Sequence, residues 1–229
     1  MRLSLVLLAA ASQMAFSQVP ARQVNSDSSM SRILAQTAQA IADKRLLVSV
    51  LRNESGKFAA SQRDALADAL INRVLANRAE PGSVSDSANY GAAVRALEVL
   101  GRAGSSQLES SASVSGEPYP GASSRLERAY RDAPVREIRA RALALTLSTA
   151  DRSRALAFVA RAAEAPDMSA LDAVQALIQD AAGLSRNSQQ TAADRQESMA
   201  TLRELSVNHR IRNPVAAGQA ASWVGKQKP

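Results

Sequence analysis

Apolar residues recur along this chain at three- and four-residue intervals, a spacing that predicts helices over most of its length. Leu66, Leu70 and Val74 stand at i, i+4 and i+8 with Ile71 and Leu75 beside them, giving one wide buried face. Ser61 with Asp64 three residues on reads as a short capping box at its start, and Pro81-Gly82 ends it. From Asp86 or Ser87, residues Tyr90, Val94, Leu97 and Leu100 face one way as far as Gly101. The pattern resumes at Ser123 or Ser124 with Leu126, Ala129 and Tyr130. It starts again behind Pro134 with Val135, Ile138, Ala142 and Leu145, proline being tolerated in a helix's first turn. Asp151 is placed to cap Leu156, Val159, Ala160 and Ala163, and Pro166 stops that helix. Ser169 with Asp172 predicts the cap of a helix burying Leu171, Val174, Leu177, Ile178 and Ala181. Thr191 with Asp194 does the same for Met199, Leu202 and Leu205. Asn213-Pro214 opens a last helix through Val215 and Ala220, with Trp223 expected to pack down as a lid.

The N-terminus breaks this periodicity. Arg2 precedes a run, Leu3 to Ala11, that is apolar but for Ser4, and Ala15-Phe16-Ser17 puts small residues before a cleavage point at Gln18. Residues 1–17 are therefore expected to be a signal peptide, too short to span a bilayer. The chain is expected to be exported, to the periplasm or beyond the cell, with no transmembrane segment once cleaved. Residues 18–27 read as a flexible tail. Residues 28–103 form an N-terminal helical part, its first helix carrying Met30, Ile33, Leu34, Ala38 and Ile41. Residues 104–123, rich in Ser, Gly and Pro, bury too little to offset backbone ordering and read as a flexible loop. Residues 124–225 form the C-terminal helical part.

Eight or nine helices of one or two dozen residues or fewer, joined mostly by tight turns, suggest hairpins stacked in a row. Ala93-Val94-Arg95-Ala96-Leu97 returns eighty residues on as Ala173-Val174-Gln175-Ala176-Leu177, and Ile138-Arg139-Ala140 repeats the apolar-Arg-Ala triplet of residues 94–96 between them. With APVREIRARALAL and DRSRALAFVARAAEAP, these segments resemble HEAT-like, armadillo-type helical repeats over residues 61–183, extending weakly to 224. The proline and the aspartate lie further apart than that repeat favours, and the loop interrupts its register. The resemblance implies an all-α fold of stacked helical hairpins, an α-solenoid used for protein interaction, and assigns no catalytic residue. An irregular helical array is the other arrangement these helices allow.

Composition agrees with helix: aromatic residues are only 3% of the chain, and strands want them. The formal charge is +7, carried almost wholly by arginine, since lysine occurs only at Lys44, Lys57, Lys226 and Lys228. Much of that arginine reads as surface solvation through i, i+4 pairs: Glu98 with Arg102, Glu127 with Arg131, Glu137 with Arg141. The remainder suggests one basic patch, from Arg136 and Arg139 on one helix and Arg152, Arg154 and Arg161 on the next. Such a patch would hold an acidic protein or an anionic envelope surface. Nucleic acid fits poorly, because aromatics for base stacking are scarce.

Catalytic chemistry has little to start from. There is no cysteine, and His209 is the single histidine, read as a solvated turn residue because Glu204 is not at helical spacing from it. Zinc would have to rely on carboxylates, so no metal site is expected, and no phosphate loop or nucleophile elbow points to a cofactor or catalytic residue. The reading is an exported, non-catalytic interaction or scaffold module whose partner is another protein. The alternatives are an enzyme with a carboxylate/arginine groove, or an envelope-associated structural protein on an anionic surface.

Overall fold

The computed structural model describes residues 60–82, 87–101, 121–185 and 190–227. The expected signal peptide, the tail, the expected first helix through Met30 and Ile41, and the body of the Ser/Gly/Pro-rich loop lie outside the described residues. Within them the chain is all-helical: α1 (Ala60–Ala76), α2 (Ser87–Leu100), α3 (Ala122–Asp132), α4 (Arg136–Thr146), α5 (Arg152–Ala163), α6 (Met168–Ala181), α7 (Ala192–Val207) and α8 (Pro214–Lys226). None of these helices is long and apolar enough to cross a membrane.

Chain order pairs the helices into four hairpins: α1 with α2, α3 with α4, α5 with α6, α7 with α8. The second helices form a continuous layer in which α2 packs on α4, α4 on α6 and α6 on α8. On the other side α1 packs on α3 and α5 on α7. Tyr130 of α3 meets Phe158 of α5 edge to face, with ring centroids 5.5 Å apart. This is the two-layer plan of an α-solenoid. The repeated pentapeptides at 93–97 and 173–177 fall on α2 and α6, in the same layer, with the Ile138 triplet on α4 between them.

The predicted apolar stripes supply the core. Leu66, Leu70, Ile71 and Val74 of α1 are fully buried with Leu97 and Leu100 of α2, Leu126 of α3 and Ile138 of α4. A second cluster joins Leu143, Val159, Val174, Leu177, Leu202 and Leu205 across α4 to α7, with Ala216 and Ala220 of α8, and Trp223 packs against its end. Each fully buried leucine contributes about 1.5–3 kcal/mol. Alanines fill much of the inter-helix space (Ala92, Ala93, Ala96, Ala170, Ala173), letting the helices approach closely.

Caps and breakers set the helix ends. Asp151 accepts from the Arg154 N–H, Thr191 and Asp194 form a reciprocal capping box, and Asn213 accepts from the Val215 and Ala216 N–H groups beside Pro214. Two predicted caps are corrected. Helix α1 already begins at Ala60, which leaves Asp64 in the second turn, where its carboxylate serves another helix. Helix α6 is capped by Asp167, which accepts from the Ser169 N–H, and Asp172 again points elsewhere. The loop boundary also moves: α3 begins at Ala122 with Ser123 buried, behind Gly121 in the left-handed region at φ 64°. Between α4 and α5, Thr146, Ser148 and Thr149 are buried polar residues. Each hydroxyl donates to the carbonyl three residues back, at 2.7 Å, so the turn is satisfied internally.

Candidate binding cleft

Arginine is the residue that joins hairpin to hairpin. Arg125 of α3 donates to Asp68 Oδ1 at 2.9 Å and to Asp64 Oδ1 at 2.7 Å, both on α1. Burial opposes its charge, but those two carboxylates more than offset this and raise its pKa. Arg154 of α5 grips Glu127 of α3 with two hydrogen bonds of 2.8 and 3.1 Å, the bidentate geometry that suits a guanidinium. Arg141 of α4 pairs with Glu98 of α2, and Arg210, beyond α7, pairs with Glu164 at the end of α5. Two of the acids expected in local surface pairs, Glu98 and Glu127, thus also reach arginines of other helices, while Arg102 lies outside the described residues. Glu98 and Glu127 are buried, and Arg131 stands 3.9 Å from Glu127 as a minor partner.

The tightest of these junctions is buried. Arg152 at the start of α5 donates from Nη2 to Asp180 Oδ2 at 2.5 Å, to the Asp194 carbonyl at 2.5 Å and to Ser198 Oγ at 2.7 Å. Its Nη1 donates to the Leu147 carbonyl at 2.7 Å, and Ser198 Oγ donates to Asp180 Oδ2 at 2.7 Å. Asp180 is only 1% exposed, so α5, α6 and α7 share one desolvated ion pair.

These contacts disperse the anticipated basic patch. Arg136 donates to Asp172 Oδ1 at 2.7 Å, and Arg139 donates to the carbonyls of Ala133 and Pro134 at 2.8 and 3.1 Å. Arg152 is engaged inside the stack and Arg154 with Glu127, which leaves Arg161 exposed on the last turn of α5. The structure does not bring the five together as one free cationic surface. The sequence carried no signal for this, since each arginine had several carboxylates in reach on paper. His209 is exposed in the turn after α7 at φ 52°, with Glu204 engaged by Arg210 at 2.8 Å. Among the described residues no group of three His, Cys, Asp or Glu side chains is placed to hold a metal.

A concave feature lies on the layer of second helices. An open cleft of about 420 Å³ runs across α2, α4 and α6, with Tyr90 and Val94 on α2, Ala140, Arg141 and Ala144 on α4, and Asp172, Gln175 and Gln179 on α6. Glu137 stands at its edge. The space exists because α4 and α6 present alanines here, at Ala140, Ala144 and Ala176, where larger side chains would meet. Tyr90 and Val94, expected in the apolar stripe of α2, are only half-buried and form one wall. Burial raises the Tyr90 phenol above its ordinary pKa, the Glu137 carboxylate adds to this, and the Arg141 guanidinium opposes it. The phenol therefore stays protonated at neutral pH and can donate as well as accept. Gln175 is held from behind: Gln219 of α8 donates from Nε2 to its Oε1 at 2.6 Å, leaving the Gln175 amide N–H groups as its remaining donors. Comparison of the chain with protein-family models, with curated proteins and with solved structures finds no match.

Proposed function

We propose that this chain is an exported, non-catalytic interaction module that docks a polypeptide partner along the cleft face of a HEAT-like helical stack. The cleft itself carries the reading. It spans three successive second helices, its floor is made of small apolar side chains, and polar groups stand at its rim. Its charges also favour binding over hydrolysis: Asp172 is matched by Arg136, and Arg141 by Glu98, so no pair of free carboxylates faces a common point. The dispersal of the basic residues argues against an anionic envelope surface as the ligand. What keeps the arginines from such a surface is their use between hairpins.

The test is a cross-linked pull-down from envelope and culture-supernatant fractions, using the chain from Gln18 onward. Ala140→Arg and Gln179→Arg each fill the cleft from a partly or fully exposed position and should leave the fold intact. A partner captured by the parent chain and lost by both variants is the expected result. Capture of the same proteins by all three chains would refute docking in the cleft.

A further inference from the structure

Resting on that docking reading, we infer that the cleft selects a basic segment. One lysine or arginine side chain of an extended polypeptide pairs with Glu137 beside Tyr90, while Gln175 donates to a backbone carbonyl of the same segment. The charge balance points this way. Arg141 is committed to Glu98, Arg136 to Asp172, and Arg139 to two backbone carbonyls, whereas Glu137 makes no ion pair among the described residues. The charge left over in the cleft is thus negative, on a chain whose formal charge is +7. An acidic segment, or a phosphate, would set its charge against Glu137 with its natural partner arginines already engaged.

The walls suit a long cation as well as its charge. Tyr90 offers an aromatic ring next to the carboxylate, a pairing that attracts ammonium and guanidinium groups. Val94, Ala140 and Ala144 offer an apolar strip for the methylene stem of lysine or arginine, which buries its carbons while its charge stays near water. Gln175 supplies recognition that is independent of side-chain identity. Gln219 already donates to its Oε1 while both hydrogens of the Gln175 Nε2 remain for the cleft, and an extended backbone presents carbonyls at regular spacing. A neutral aliphatic segment would use the strip and Gln175 but leave Glu137 unanswered.

The experiment measures fluorescence anisotropy of the full chain against three short labelled peptides of alanine and serine, identical but for a central lysine, norleucine or glutamate. The lysine peptide should bind about fivefold more tightly than the norleucine peptide, as one partly exposed ion pair allows. That preference should shrink in high salt and vanish in Glu137→Gln. Glu80→Gln, at an exposed acid after α1, should leave it unchanged. Gln175→Leu should weaken all three peptides alike. Lysine preference that survives Glu137→Gln, or a glutamate peptide that binds as well as the lysine one, overturns the inference, as does failure of all three to bind at millimolar concentration. If Ala140→Arg and Gln179→Arg abolish binding but no lysine preference exists, selection of a basic segment fails and docking in the cleft stands. If binding ignores both cleft-filling variants, docking itself falls.

Discussion

The two layers of the stack are built from the same Ala/Arg-rich composition but differ in what closes them. The first helices of the hairpins are fastened by guanidinium clamps, Arg125 across α1 and α3, and Arg154 across α3 and α5, with Tyr130 against Phe158 beside the second. The second helices carry alanines at Ala140, Ala144 and Ala176 where they face the cleft, and among the described residues charges cross between them at Glu98–Arg141 and Arg136–Asp172. Long side chains fill the seam on one side. Short ones leave a cleft on the other. A helical stack can thus gain a binding surface by shortening the residues of one layer, provided the opposite layer carries the rigidity.

The junction where α5, α6 and α7 meet is the place to break that rigidity. Asp180→Ala takes the nearest and most buried carboxylate from Arg152, leaving it Glu197 at 3.4 Å and Asp194 at 3.9 Å, and removes the acceptor that orders Ser198. Loss of one member of a buried pair costs about 3–5 kcal/mol. Urea unfolding should show a large fall in midpoint, with the transition losing cooperativity if the last hairpin detaches from the other three. A change under about 1 kcal/mol would mean that the layer is held by its leucines alone. The next effect is smaller. Arg125→Met removes a clamp whose two carboxylates are each more than half exposed (52% and 55%), so solvent screens much of it, and about 1 kcal/mol is expected. Asp64 and Asp68 then face each other unneutralised at i, i+4, which raised salt should partly relieve.

The sequence specified local structure far better than the partners across it. Thr191-Asp194, Asn213-Pro214 and Asp151 announced helix starts because a cap needs only its own neighbours, and the leucine stripes announced the core for the same reason. Glu127 does meet Arg131 four residues on, at 3.9 Å, yet its closer partner, Arg154, is 27 residues away. Only the stacking of α3 on α5 decides between them. The cleft was invisible for a related reason. Periodicity placed Tyr90 and Val94 on the apolar face of α2, but how far a neighbouring helix covers that face depends on the size of Ala140 and Ala144 opposite. Asp64 and Asp172 looked like caps because they follow Ser61 and Ser169 by three residues, whereas both reach arginines of other helices.

The smallest effect separates a cap from a clamp on one helix of the cleft layer. Asp167 and Asp172 both belong to the N-terminal region of α6, but only Asp167 holds backbone N–H, accepting from Ser169 at 2.8 Å. That hydrogen bond keeps its carboxyl below the usual value of 3.8. A carboxyl with a depressed folded pKa takes up protons more readily in the unfolded chain. Its stabilising contribution is therefore complete above about pH 4–5, and is lost as pH falls through 3.8 towards the folded value. Asp167→Ala should cost about 0.5–1 kcal/mol at neutral pH, as loss of an exposed N-cap does, and progressively less as the pH falls below the folded pKa. Asp167→Asn keeps an acceptor oxygen, so it should retain most of the stability and lose the pH dependence. Unfolding followed by circular dichroism across that pH range, with parent and both variants in parallel, reads the difference directly. If the parent and Asp167→Asn titrate alike, the acid sensitivity comes from the inter-helix carboxylates, and the clamps rather than the cap set the stability of this layer at low pH.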